Sequence, residues 1–212
     1  MKIMTTLLSL SKLINYCFQY VVETSNVYKI DESHALKHSM EVFKLSKQIY
    51  ESELNNNPHL KNQNKIIFTA AIGHDMCDKK YMNETEGILK YKNYLTNLMP
   101  KNDIEIVGKI IETMSYSKVK KNGYPQLGDY QLAYHIVREA DLLSSYDIDR
   151  CVIYGMYVEK LDYDKALERA IYLFKNRELK YLNENLFITE FSKNEALKKH
   201  ENAEKYLKEF TF

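Results

Sequence analysis

The stretch KIIFTAAIGHD, residues 65–75, is the most apolar helical run in the chain, and it ends on a histidine and an aspartate. Ile66, Ile67, Phe68, Ala70, Ala71 and Ile72 leave no polar stripe at the helical period, so a helix here has no side to turn to water and must be buried. Working outward, the segment before it, LNNNPHLKNQN (54–64), is a loop by its asparagines and Pro58. Before that, Val42, Leu45 and Ile49 lie on one stripe of a helix that should start near Asp31 or Ser33, either of which can cap it, and run to about Glu53. Carried back by one and two turns, that stripe reaches His38 and His34, placing both imidazoles on the buried face. Leu7, Leu10, Ile14, Phe18 and Val21 predict an earlier amphipathic helix, followed by a polar linker, TSNVYKIDES (24–33).

Downstream, helices are expected over 84–98, 103–115, 130–157, 163–183 and 192–210, with a Gly- and Pro-containing loop over 120–128. No segment alternates convincingly with period two, and NLFITEF (185–191) is too isolated to build a sheet. The expectation is an all-α bundle, and 212 residues suit a single domain over 1–212.

Composition narrows the function. A formal charge of +1 with lysines interleaved among acids offers no track for long nucleic acid. No window approaches the ~20 apolar residues of a membrane span. Lys2 followed by an apolar run invites a signal-peptide reading, but Ser9, Ser11 and Lys12 interrupt it, and secretion is rejected. Cys17, Cys77 and Cys151 are odd in number and form no CxxC pair, which fits a reducing, cytoplasmic setting. Oligomeric state has no signature here.

The informative residues are polar ones in apolar surroundings. His74 and Asp75 close the buried helix, and Asp141 sits in EADLL, one turn after Val137 and just before two leucines. A buried carboxylate is costly unless a cation or several donors compensate it. Two imidazoles and two carboxylates around one divalent ion would meet both demands, and the donor set suits manganese, iron, cobalt, nickel or zinc, with magnesium also admissible. The competing reading makes His74 and Asp75 a hydrogen-bonded pair at a helix end and pairs Asp141 with Arg138 or Arg150.

The blocks DESHALKHSMEVFKLS, AAIGHDMCDKKY and YHIVREADLLSSYDIDR, in that order, resemble the H…HD…D signature of the HD superfamily of metal-dependent phosphohydrolases, in particular its nucleotidase- and pyrophosphatase-like branch. The resemblance spans about residues 30–157. It implies an HD-domain helical bundle around one metal, with His38, followed by Val42, as the first ligand and His74, Asp75 and Asp141 as the others. It further implies Asp78, three residues after the HD aspartate, as general acid/base, and Lys80 or Lys79 as a phosphate contact. His34 would stand beside the substrate or behind the metal ligands. Arg138 lies three residues before Asp141 and could turn to the metal and its substrate or pair with an acid, as could Arg150.

Two departures are visible. Met114 stands before SYS (115–117), where relatives often carry a histidine. Between the HD pair and Asp141 only His135 is available, which favours one metal over a two-metal centre. The resemblance thus implies hydrolysis of a phosphate ester or phosphoanhydride in a small nucleotide-like substrate. The rivals are a catalytically silent metal- or nucleotide-binding sensor of the same fold, and a helical partner-binding protein using the last two helices. Tyr130, Tyr134, Tyr154 and Tyr157 read as core-edge residues.

Overall fold

Ser9 opens the first helix of the computed structural model, which describes residues 9–209, by accepting a hydrogen bond from the Lys12 amide. Helix α1 (Leu10–Tyr28) buries Leu13, Cys17, Val21 and Thr24, with Leu10, Ile14 and Phe18 partly covered beside them. Its buried face is therefore wider than the expected stripe, and it absorbs the start of the expected linker. It ends only where Lys29 adopts a left-handed conformation (φ 56°) and its amide donates back to the Ser25 carbonyl. Leu7, Lys2 and Phe210, on which parts of the sequence reading fall, lie outside the described residues.

Helix α2 (Leu36–Glu53) begins later than Asp31 or Ser33 predicted. The Asp31 carboxylate accepts from the Ser33 amide, and its carbonyl accepts from the amides of His34 and Ala35. The side chain that could have capped the helix instead folds a turn ahead of it, so His34 stands in that turn and not on the helix stripe.

A 3-10 turn, Pro58–Asn62, leads to α3 (Asn64–Gly73). Every residue from Ile66 to Gly73 is buried, because α1, α2, α5 and α7 all pack on α3. Gly73 permits a further close approach: a Cβ there would sit 2.3 Å from the ring of Tyr91, whose hydroxyl donates to the Thr69 carbonyl at 2.9 Å. The chain then tightens into a 3-10 turn, His74–Cys77.

Helices α4 (Glu84–Leu95) and α5 (Lys101–Thr113) pack on each other, and a short α6 (Tyr116–Asn122), which sequence patterning did not predict, ends at Gly123 with φ 72°. The expected long helix over 130–157 is two, α7 (Gln131–Ser144) and α8 (Ile148–Tyr157). Asp147 makes the break by accepting the Asp149 amide and starting a new helix. Helix α9 (Tyr163–Asn176) lies against α8 and stops seven residues before the expected end, at Arg177, where a short 3-10 turn follows. The final α10 (Glu190–Glu209) packs on α7 and α2.

The fold is all-α, with no strand among the described residues. None of its described helices is long and apolar enough to cross a membrane. The pairwise packing of α2, α3 and α7 is what positions the site.

Candidate metal centre

Three separate segments deliver four side chains to one place: His38 from α2, His74 and Asp75 from the turn after α3, and Asp141 from α7. The Nε2 atoms of His38 and His74 are 3.1 Å apart. Asp75 oxygens lie 3.1 Å from His38 Nε2 and 3.3 Å from His74 Nε2, and Asp141 Oδ1 lies 3.5 Å from both. One ligand atom each from His38, His74 and Asp141 falls within 4.8 Å of the others, a grouping able to hold an ion; Asp75 flanks both imidazoles but is not part of that mutually close set.

Both imidazoles are buried, whereas the Asp75 and Asp141 side chains are 13% and 28% exposed. The expectation of fully interior carboxylates is thus corrected. The rings form the floor of the site and the acids its mouth, because α7 presents Asp141 at the edge of its buried face.

Local hydrogen bonds orient the donors. His74 Nδ1 donates to the Ala71 carbonyl at 2.9 Å, so in its neutral form the ring turns a lone pair on Nε2 into the cluster. Among the described residues, His38 Nδ1 has no hydrogen-bond partner and Asp75 Oδ2 receives no aligned hydrogen bond. Lone pairs and carboxylates facing one another at 3.1–3.5 Å require positive charge among them, either protons or a cation. Ligands held about 2.1 Å from one ion at tetrahedral or cis-octahedral angles stand about 3.0–3.4 Å apart, so the donor set fits a small divalent metal.

Without a cation, protons carry that role. Burial acts to lower the His74 pKa, but the Asp75 charge and then Asp141 outweigh it and push it up to about 9. Burial acts to raise Asp75, and the charge of His74, ahead of His34, overcomes it and holds the carboxyl below its ordinary range. Asp141 is likewise held well below its ordinary range by contacts with His38 and His74, against the upward pull of burial.

A polar shell adjoins the cluster. Arg150 donates from Nε to the Ser33 carbonyl (2.7 Å) and from Nη1 to Ser144 Oγ (3.1 Å), leaving Nη2 3.9 Å from Asp75. Lys80 Nζ lies 2.8 Å from His34 Nε2 and 3.2 Å from Asp78 Oδ2. His34 Nδ1 contacts Ser33 Oγ at 2.6 Å and the Tyr81 hydroxyl at 3.2 Å, and that hydroxyl donates to Asp31 at 2.6 Å. Burial, with added push from Lys80 and Arg150, lowers the His34 pKa to about 3 despite the nearby Asp75 charge. A neutral His34 then accepts from the Lys80 ammonium at Nε2.

Arg138 is not brought to this site. Its guanidinium is buried, donates to the Leu186 carbonyl, lies 3.4 Å from Glu139 and stacks over Tyr124 at 4.9 Å. The expectation that it contacts substrate is corrected: three residues before Asp141, its side chain leaves α7 toward the 186–189 loop. Of the two candidate lysines, Lys80 faces His34 and Asp78, while Lys79 lines a separate groove along α4, α5 and α6. His135 lies with Gln131 and Tyr124, apart from the cluster, and Met114 is buried.

Several residues of the shell were missed by sequence reasoning. Asp31 was expected to cap a helix and Tyr81 had no reading, yet both orient His34. Tyr154, read as core edge, carries Lys80 at 5.5 Å and Arg169 at 5.2 Å from its ring centroid. The Asp-x-Ser spacing of 31–33 signals the turn; Arg169 has no local signal at all.

No family model matches the chain, and no curated protein matches it. Among solved structures, a structural-genomics protein from Lactobacillus plantarum superposes with a TM-score of 0.69 at 21% identity, over 95% of this chain and 94% of that one. The likeness shows a shared fold across nearly the whole length.

Proposed function

We propose that this protein is a metal-dependent phosphohydrolase that cuts a phosphate ester or phosphoanhydride of a small nucleotide-like substrate. The observation that carries the reading is the convergence of His38, His74, Asp75 and Asp141 with the His74 Nε2 lone pair turned inward by its bond to Ala71. The sequence resemblance to the HD phosphohydrolases supports the same ligand set, one divalent transition metal such as Mn, Fe, Co, Ni or Zn.

A cation held there supplies a Lewis acid for a phosphoryl oxygen and a nucleophile from water near neutral pH. The chain's own residues do the rest. Lys80, oriented by His34 and Asp78, and Arg150, oriented by Ser33 and Ser144, offer fixed positive charge to the phosphoryl oxygens beside the cluster. Asp78 shares the Lys80 ammonium and is the general acid/base of the reading. The Asp78→Asn protein should bind manganese as the parent does and lose about a hundredfold or more of its turnover. Full turnover in that variant, measured as phosphate release from a nucleotide library, would remove Asp78 from the mechanism.

The sensor reading shares the same centre and differs only in lacking product release. A melting-temperature rise with nucleotide and manganese, without phosphate or pyrophosphate release, would favour it.

A further inference from the structure

Beside the centre lies a cavity of about 180 Å³, bounded by the turn before α2, the Lys80 loop, α8, α9 and the turn that follows it. It is lined by His34, Lys80, Arg150, Tyr154, Arg169 and Arg177, among others. Pockets that hold whole small molecules run to roughly 300–1,000 Å³, so this one has room for part of a substrate only. It communicates with the candidate metal centre through Arg150, whose Nη2 is 3.9 Å from Asp75, and through His34, whose ring centroid is 6.3 Å from that of His38.

Of the four cations that line it, Arg169 and Arg177 are only partly committed. Lys80 meets Asp78, Arg169 meets Glu159 through Nε at 2.5 Å, and Arg177 Nε donates to the Tyr181 hydroxyl (3.0 Å) with Glu178 Oε1 in ion-pair contact 3.0 Å away. The Nη groups of Arg169 and Arg177 make no hydrogen bond to any described residue, although both side chains line one cavity. Guanidinium edges in that state match the oxygens of a tetrahedral anion, and planar two-point pairing is the strong form of such contacts. Glu178, the one carboxylate among the lining residues, is buried with Oε1 against Arg177 and Oε2 without a hydrogen-bond partner among the described residues; it offsets one of the four positive charges and leaves the lining cationic. Tyr154 sets the spacing, with Lys80 and Arg169 both against its ring.

We propose that this cavity is a second anion subsite, in which Arg169 and Arg177 hold a phosphate-like group distinct from the one that Lys80 and Arg150 place at the metal cluster. The substrate therefore carries at least two anionic groups a short link apart, as a phosphoanhydride or a doubly phosphorylated molecule does, and a simple monoester leaves the cavity unfilled. The substrate assignment rests on the hydrolase reading; the anion site itself does not.

The test is calorimetric titration of inorganic phosphate into the full chain after metal removal with EDTA, at low salt. The parent should bind. Arg169→Gln should weaken binding about tenfold or more, the loss of a charged hydrogen bond, and Arg169→Lys should fall between them. Lys193→Gln, which changes an exposed pair on α10, should bind as the parent does. Arg169 is partly exposed and its partner Glu159 lies at the surface, so unchanged melting of Arg169→Gln keeps the comparison clean where Arg177→Gln could misfold. Absence of phosphate binding in the parent, or equal binding by Arg169→Gln, overturns the subsite. Manganese titration of the same samples separates the two ideas: phosphate binding retained with no metal binding would sink the hydrolase reading and leave the subsite standing.

Discussion

Two imidazole nitrogens 3.1 Å apart, with carboxylates on both, form an arrangement that protons alone hold together only over a limited pH range. With the His74 pKa at about 9, a metal entering the cluster must displace a proton below that pH. Apparent manganese affinity should therefore rise as pH is raised from 6 towards 9, and titration in buffers of different ionisation enthalpy should show proton release. His135 offers an independent pH signature away from the site. Burial, with Arg138 nearby, lowers its pKa to about 4. Since the unfolded chain takes up this proton near 6.5, His135 contributes stability fully above that value and loses it as pH falls towards 4. The drop in melting temperature between pH 7 and pH 5 should be smaller in His135→Gln than in the parent; an equal drop would contradict the assignment.

Helix α3 was legible because an all-round apolar run admits only one environment, and His74, Asp75 and Asp141 were legible as candidates because polar groups in such surroundings demand partners; the choice of His38 over His34 came from the family resemblance. What escaped was decided by contacts distant in sequence. Asp147 could be read as part of a continuous helix until its side chain is seen to cap a new one. Arg138, three residues before Asp141, could face either way around α7, and only the 186–189 loop decides it. His34 kept its neighbourhood to His38 but not its helix, since Asp31 closed a turn first. The tight seat of α3 against α4 yields a direct check. Gly73→Ala would gain about 1 kcal/mol of helix propensity, but its Cβ meets the Tyr91 ring at 2.3 Å, and Tyr91 is buried with its hydroxyl engaged. Overpacking should win and destabilise the protein by about 1–3 kcal/mol in denaturant melts. A neutral or stabilising result would mean that Tyr91 can move.

The molecule as a whole is closed by a buried polar clasp. Glu139, fully buried on α7, accepts from the amides of Ile188 and Thr189 and from the Thr189 hydroxyl, tying the loop before α10 to the helix that carries Asp141. Glu139→Ala would orphan those donors and leave Arg138 without its carboxylate, a loss of about 3–5 kcal/mol in stability by urea unfolding. The clasp and the candidate metal site share α7, so the seating of α10 and the site depend on the same element. The proposed function requires that His38, His74, Asp75 and Asp141 hold one divalent ion. Its most direct test is manganese titration followed by metal analysis of the dialysed protein, for the parent and for His38→Ala and Asp141→Ala variants of unchanged helical content. About one ion per chain is expected in the parent and at least a hundredfold weaker binding in either variant; a parent that takes up no metal, or variants that take it up equally, would overturn the four-ligand centre.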